Sequence, residues 1–323
     1  MSLPDLIINK DPKADAGQIY DCVIIGGGPA GLTAGIYASR ARLKTVLFEE
    51  KAIGGQVVVT DIVENYPGFP KGISGADLTF SMEEQARSFG LEIKDSGVTG
   101  IKADGETKRV NTTDGHLTTK TIIIGSGAEN LKLNVNGEKQ FTGKGVSYCA
   151  TCDAAFFRDR EVVVVGGGDT AIGEAIFLTK FARKVYIIHR RDKLRAVKIL
   201  QERAFAIQGI EFIWDTVITE IKGNKYVESV SLKNVKTGNV TEKKIDGVFV
   251  FIGTKPNTDF VKGLVALDEN GYIITNENME TNIPGIFAAG DVRTKLLRQV
   301  ATAVGDGAIS AYAAEKYIEE NRK

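Results

Sequence analysis

Two glycine-rich turns, each between a short apolar run and a helical pattern and about 140 residues apart, and a late apolar run ending in Gly290-Asp291, predict an α/β protein. The expected architecture is two Rossmann-like dinucleotide-binding domains. Because the Gly-Asp segment follows the second turn, the first domain is expected to be discontinuous, with the second inserted within it. The expected division is 1–131 with 258–323 for the first domain and 132–257 for the second.

Each element has its own signal. Residues 21–26, Asp-Cys-Val-Ile-Ile-Gly, run into a glycine cluster and then a helical pattern through Leu32, Ile36 and Tyr37, which reads as strand, tight turn, helix. Thr45 to Phe48 is the next strand, and Glu49 stands at its end. The order returns at residues 161–166, Glu-Val-Val-Val-Val-Gly, followed by a helix through Ile172, Ile176 and Phe177 and a strand from Val185 to Ile188. Lys102 to Gly115 is polar and reads as turn-rich, whereas the runs ending at Gly127 and Gly253 read as later strands that close each sheet.

Composition excludes several classes. Lys and Arg total 41 and Asp and Glu total 41, so the formal net charge is zero and the broad basic field of a nucleic-acid binder is missing. No apolar run approaches the ~18 residues that a membrane span needs. The first twenty residues, with Asp5, Lys10, Asp11, Lys13 and Asp15, lack the apolar centre of a secretory signal, so a cytoplasmic location is expected. Three cysteines cannot build a disulfide framework, and a closely spaced pair in a reducing compartment points to catalysis or metal binding.

The first cluster, Gly26-Gly27-Gly28-Pro29-Ala30-Gly31, is a G-x-G-x-x-G. Such a pattern arises about 0.4 times by chance in a chain this rich in glycine, so its context between strand and helix carries the weight. Glu49, eighteen positions after Gly31, stands where a carboxylate accepts from ribose hydroxyls. The second cluster, Gly166-Gly167-Gly168-Asp169-Thr170-Ala171, is the G-x-G-x-x-A variant. At the register of Glu49 it carries His189-Arg190-Arg191, with Arg195 one turn on. Guanidinium groups grip a 2′-phosphate that a carboxylate would repel. The contrast points to FAD in the first domain and NADPH in the second. Gly290-Asp291 at a strand end supports the flavin, since a carboxylate there can bind a polyol hydroxyl.

Cys149-Ala150-Thr151-Cys152 is a C-x-x-C, a spacing that three randomly placed cysteines produce with a probability of roughly 0.02. Zinc needs four ligands, yet there is no second such pair and the chain has two histidines, so a redox dithiol is the expectation and no metal is expected. Cys22, mid-strand, reads as a small buried hydrophobe. Asp153 can protonate a departing thiolate or cap a turn, and spacing does not choose between the two roles.

These motifs together resemble the low-molecular-weight thioredoxin reductases, from about Asp21 to Ala314. Gly54-Gly55-Gln56 and the segment Val63 to Gly68, with Asn65, are similar to the family's flavin-contacting loop. His189-Arg190-Arg191 with Arg195 resembles its NADPH phosphate clamp, and Arg298-Gln299-Val300 its isoalloxazine-side loop. Gly127 and Gly253 are expected near FAD and NADPH respectively. The resemblance implies that Cys152 lies nearer the flavin and that Cys149 attacks the disulfide of thioredoxin. It also implies a homodimer and a large rotation of the NADPH domain. The expected function is a thioredoxin-disulfide reductase, with electrons passing from NADPH through FAD and the Cys149/Cys152 disulfide. The alternatives are a flavin-dependent NAD(P)H oxidase, a reductase of another small disulfide protein, and a non-catalytic redox sensor.

Overall fold

The computed structural model describes residues 19–60 and 62–321, with the backbone alone for Asp104 and Cys152; residues 1–18, which carry the expectation about a leader, lie outside the described residues. The chain divides into two compact units, Met1–Ala128 with Pro256–Lys323, and Glu129–Lys255.

The first unit begins β1 (Ile19–Ile25), α1 (Pro29–Arg40), β2 (Thr45–Glu49), α2 (Gly75–Ser88) and β3 (Glu92–Asp95). Then β4 (Val98–Asp104), β5 (Thr107–Thr112) and β6 (Gly115–Ile124) follow as an antiparallel meander. The polar stretch from Lys102 to Gly115 is therefore mostly strand, a correction to its reading as turns. The central strands β1 and β2 are buried and read as apolar runs. The sheet order is β3-β2-β1-β6-β5-β4.

The second unit carries β7 (Ala128–Asn130), whose first residue belongs to the first unit, then α3 (Glu138–Phe141), β8 (Val146–Ser147) and α4 (Ala150–Asp153). Its fingerprint elements are β9 (Glu161–Gly166), α5 (Asp169–Leu178) and β10 (Lys184–Ile188), followed by α6 (Lys198–Ala206) and β11 (Ile210–Ile213). A hairpin-linked sheet of β12 (Thr216–Gly223), β13 (Val227–Asn234) and β14 (Val240–Lys244) precedes β15 (Gly247–Phe251). The parallel order is β11-β10-β9-β15-β8. Ile172, Leu178 and Phe249 pack on one face, and Ile218, Val230 and Leu232 pack on the other.

The chain returns through β16 (Thr254–Pro256), which pairs with β7, so the two crossings form one short ribbon. In the first unit β17 (Ile286–Ala288) adds in parallel to β6, and α7 (Val300–Glu320) packs against α1. That packing is close because Gly307 has no side chain: a Cβ there would stand 2.3 Å from the Ala30 carbonyl oxygen.

Candidate functional site

Gly26 leaves β1 with φ of +107°, and a Cβ there would fall 2.3 Å from the Gly125 carbonyl oxygen, so glycine alone makes this turn. Gly28 differs. Its φ is an ordinary −76°, and a Cβ would meet nothing nearer than Gly55 Cα at 4.0 Å. Its missing side chain therefore leaves space over the first turn of α1. No side chain caps that turn, no acid lies in it, and Pro29 follows at its start, so its remaining N–H groups suit an anion.

The other predicted residues of this unit gather around that turn. Glu49 Oε2 accepts from the Gly27 N–H at 2.7 Å and Oε1 from the Lys51 N–H at 2.8 Å, which orients the carboxylate at the end of β2. Gly54 donates its N–H to the Gly27 carbonyl at 2.9 Å, and the 3₁₀ turn Gly55–Val59, containing Gln56, follows. Asn65 donates to Gln299 Oε1 at 2.9 Å, joining two predicted flavin loops that are far apart in the chain. Gln299 caps α7 with Thr302, and Val300 opens the helix. Gly290, with φ of +78°, comes so close to Ala30 that a Cβ would lie 2.9 Å from the alanine's own. Arg298 lies 3.9 Å over the Tyr272 ring and donates toward the Asp291 carbonyl.

Asp291 carries the clearest sign of a ligand. Its Oδ1 is buried with no hydrogen-bond partner. Burial raises its pKa above the ordinary value, against the pull of Lys295 and Arg298. A hydroxyl donor satisfies such an acceptor, so the site fits the polyol of a flavin nucleotide. Sequence reasoning missed Asp306, a buried carboxylate on α7 that takes Lys295 at 2.7 Å, Arg293 at 3.3 Å and the Gly290 N–H at 3.0 Å. Its only local signal is an acid nearly two turns into α7, within a stretch of small and apolar residues.

The second unit repeats the construction. Gly166 has φ of +149°, and a Cβ would meet the Phe251 carbonyl oxygen at 2.3 Å and the buried Ala171 methyl at 2.7 Å. Gly168 caps α5 with open space around it, and Thr170 lies exposed in the first turn. Asp169 Oδ1 accepts from the Val197 N–H at 2.8 Å, and the Arg195 N–H donates to the Gly167 carbonyl at 2.7 Å, folding the basic segment against the glycine turn. Arg190, Arg191 and Arg195 are exposed, and none of them takes part in an ion pair among the described residues. His189 is not with them on the surface. Its ring sits under Gly167, 5% exposed, with Nε2 unpartnered, and burial, then Arg195, Arg191 and Arg190, lower its pKa against a backbone hydrogen bond at Lys193.

The redox motif sits between β8 and β9. Cys149 is disulfide-bonded, and Ser147 Oγ accepts from its N–H and donates to its carbonyl. Ala150 and Ala154 are fully buried and anchor α4, which carries Asp153 at its end; the side chain of Cys152 lies outside the described residues. Cys22 is free and buried, with its thiol pushed up to about 12 by burial. Gly127 and Gly253 border the crossings: the Gly127 carbonyl accepts from Asn257 and that of Gly253 from Leu131.

The family model described as pyridine nucleotide-disulphide oxidoreductase matches residues 20–307. A thioredoxin reductase of Peptoclostridium litorale is 52% identical over 309 residues, 94% of this chain and 98% of the relative. Among solved structures, Lactococcus lactis thioredoxin reductase is 51% identical with a TM-score of 0.92, covering 93% of this chain and 99% of that one. The Streptococcus pyogenes thioredoxin reductase, also 51% identical, has a TM-score of 0.64 with 94% and 99% covered. The chain belongs to the pyridine nucleotide-disulphide oxidoreductase family, in its low-molecular-weight thioredoxin reductase branch, an oxidoreductase group that uses FAD and NADPH.

Proposed function

We propose that the first unit is the FAD domain, the second the NADPH domain, and that the chain reduces thioredoxin through Cys149 and Cys152. One observation carries the reading. An open glycine turn beside the orphaned Asp291 acceptor shares the chain with a second open turn beside three guanidinium groups that no acid among the described residues pairs with.

Bound FAD would supply two-electron chemistry between NADPH and a disulfide. The N–H groups of α1 and α5 would hold the two diphosphates, Glu49 would hold a ribose, and Arg190, Arg191 and Arg195 would clamp the 2′-phosphate. The disulfide takes two electrons and two protons, its S–S bond breaks, and Asp153 supplies a proton to the departing sulfur. Cys149 then attacks the thioredoxin disulfide, and Cys152 displaces it from the mixed disulfide, which restores the starting bond.

Hydride transfer and thiol attack both need reacting atoms about 3 to 3.5 Å apart, so one flavin serves both only if the second unit turns. The working form is a homodimer in the cytoplasm, in keeping with the family and with no helix among the described residues long and apolar enough to cross a membrane. Steady-state NADPH consumption tests the reading: it is slow alone and rises on adding oxidised thioredoxin. Equal consumption with and without thioredoxin would make the chain an oxidase.

A further inference from the structure

Glu138 is a carboxylate, 5% exposed, with no ion-pair partner among the described residues. Three donors compensate for its burial instead. Oε1 accepts from the Leu133 N–H and from the Tyr148 hydroxyl, both at 2.7 Å, and Oε2 accepts from the Asn134 N–H at 2.6 Å. Two of those donors belong to the segment that follows β7, the first crossing between the units, and the third belongs to the residue before Cys149. Asn130, the last residue of β7, grips the same residue from its other end, donating its side-chain amide to the Tyr148 carbonyl at 3.2 Å. Lys132 lies over the Tyr148 ring at 3.3 Å. Residue 148 is thus held at its backbone by Asn130 of the first crossing and at its phenol by Glu138 of α3, whose other two donors lie in the segment that follows β7.

We infer that Glu138 and Tyr148 are positioning residues that tie the first crossing to Cys149, so that the seating of the redox cysteine and the set of the crossing change together. The inference rests on the proposed role of Cys149. A buried carboxylate with three donors is a rigid junction, because each lost donor leaves an uncompensated charge. The phenol stays protonated at working pH, since burial and the hydrogen bond to Glu138 raise its pKa. The junction links a backbone segment that must flex, if the units rotate, to the peptide that presents the attacking sulfur. The structure holds Cys149 in its disulfide, so the inference assigns the junction to the oxidised seating of the cysteine.

Tyr148→Phe removes one hydroxyl and leaves the ring under Lys132. The holoenzyme is equilibrated anaerobically in dithiothreitol redox buffers and its thiols are trapped by alkylation, and in parallel its flavin reduction by NADPH and its turnover with thioredoxin are timed. We expect the disulfide to become about tenfold easier to reduce, roughly 30 mV for a two-electron couple. We also expect turnover with thioredoxin to fall several-fold while flavin reduction stays within twofold of the parent. Glu138→Gln should give the same pattern more strongly if it folds. An unmoved dithiol equilibrium in folded Tyr148→Phe overturns the inference, as does equal slowing of both half-reactions. A parent enzyme that cannot reduce thioredoxin overturns the proposed function instead.

Discussion

Single residues here show where a ligand is required, because burial without a partner is costly. Asp291 keeps an acceptor out of water with nothing to bind it. Asp291→Ala should weaken flavin retention ~tenfold to a hundredfold, the scale of a hydrogen bond to a charged group. In the flavin-free protein the same change should raise stability at pH 7. The sign follows from the raised pKa: the folded protein binds this proton more tightly than the unfolded chain, so acid relieves the penalty. The advantage of the variant should therefore shrink as pH falls through the raised pKa toward the ordinary ~3.9, which thermal melts across pH will show. At the second site, replacing Arg190 and Arg191 with Gln should raise the KM for NADPH ~tenfold or more and leave that for NADH nearly unchanged. Equal effects on both coenzymes would move the 2′-phosphate elsewhere.

At the scale of elements, glycines of the two turns divide into those that permit the fold and those that leave room for a ligand. Gly31→Ala would place a Cβ 1.8 Å from the Gly26 carbonyl oxygen, so it should destabilise the unit by ~1 to 3 kcal/mol or more. Gly28→Ala meets no protein atom closer than 4.0 Å and should melt like the parent, yet lose flavin affinity at least ~tenfold. Melting curves and flavin binding measured on both variants separate the two roles. The turns were legible in the sequence because at Gly26, Gly31 and Gly166 their geometry admits almost no other residue. The stretch from Lys102 to Gly115 was not: with Lys108 buried in β5 and Val110 the single apolar residue of that strand, it lacks the alternation that marks a half-buried sheet. The burial of His189 was equally hidden, since only the fold brings Gly167 over its ring.

Across the whole molecule, the sequence carried the two repeated units and the redox motif but not the joints between them. Gly127 and Gly253 read as ends of strands near cofactors, while the structure sets each beside a crossing, where its carbonyl receives a bond from the other crossing segment. The Glu138–Tyr148 junction left no pattern in the chain either, because its partners come from short turns brought together by the fold. The central claim is that electrons enter at one unit, pass through the flavin of the other and leave by Cys149. Cys149→Ser tests it most directly in anaerobic stopped-flow measurements. The account predicts that NADPH bleaches the flavin at the parent rate while thioredoxin reduction falls to background, because hydride transfer precedes thiol chemistry. A Cys149→Ser enzyme that still reduces thioredoxin at the parent rate would contradict it.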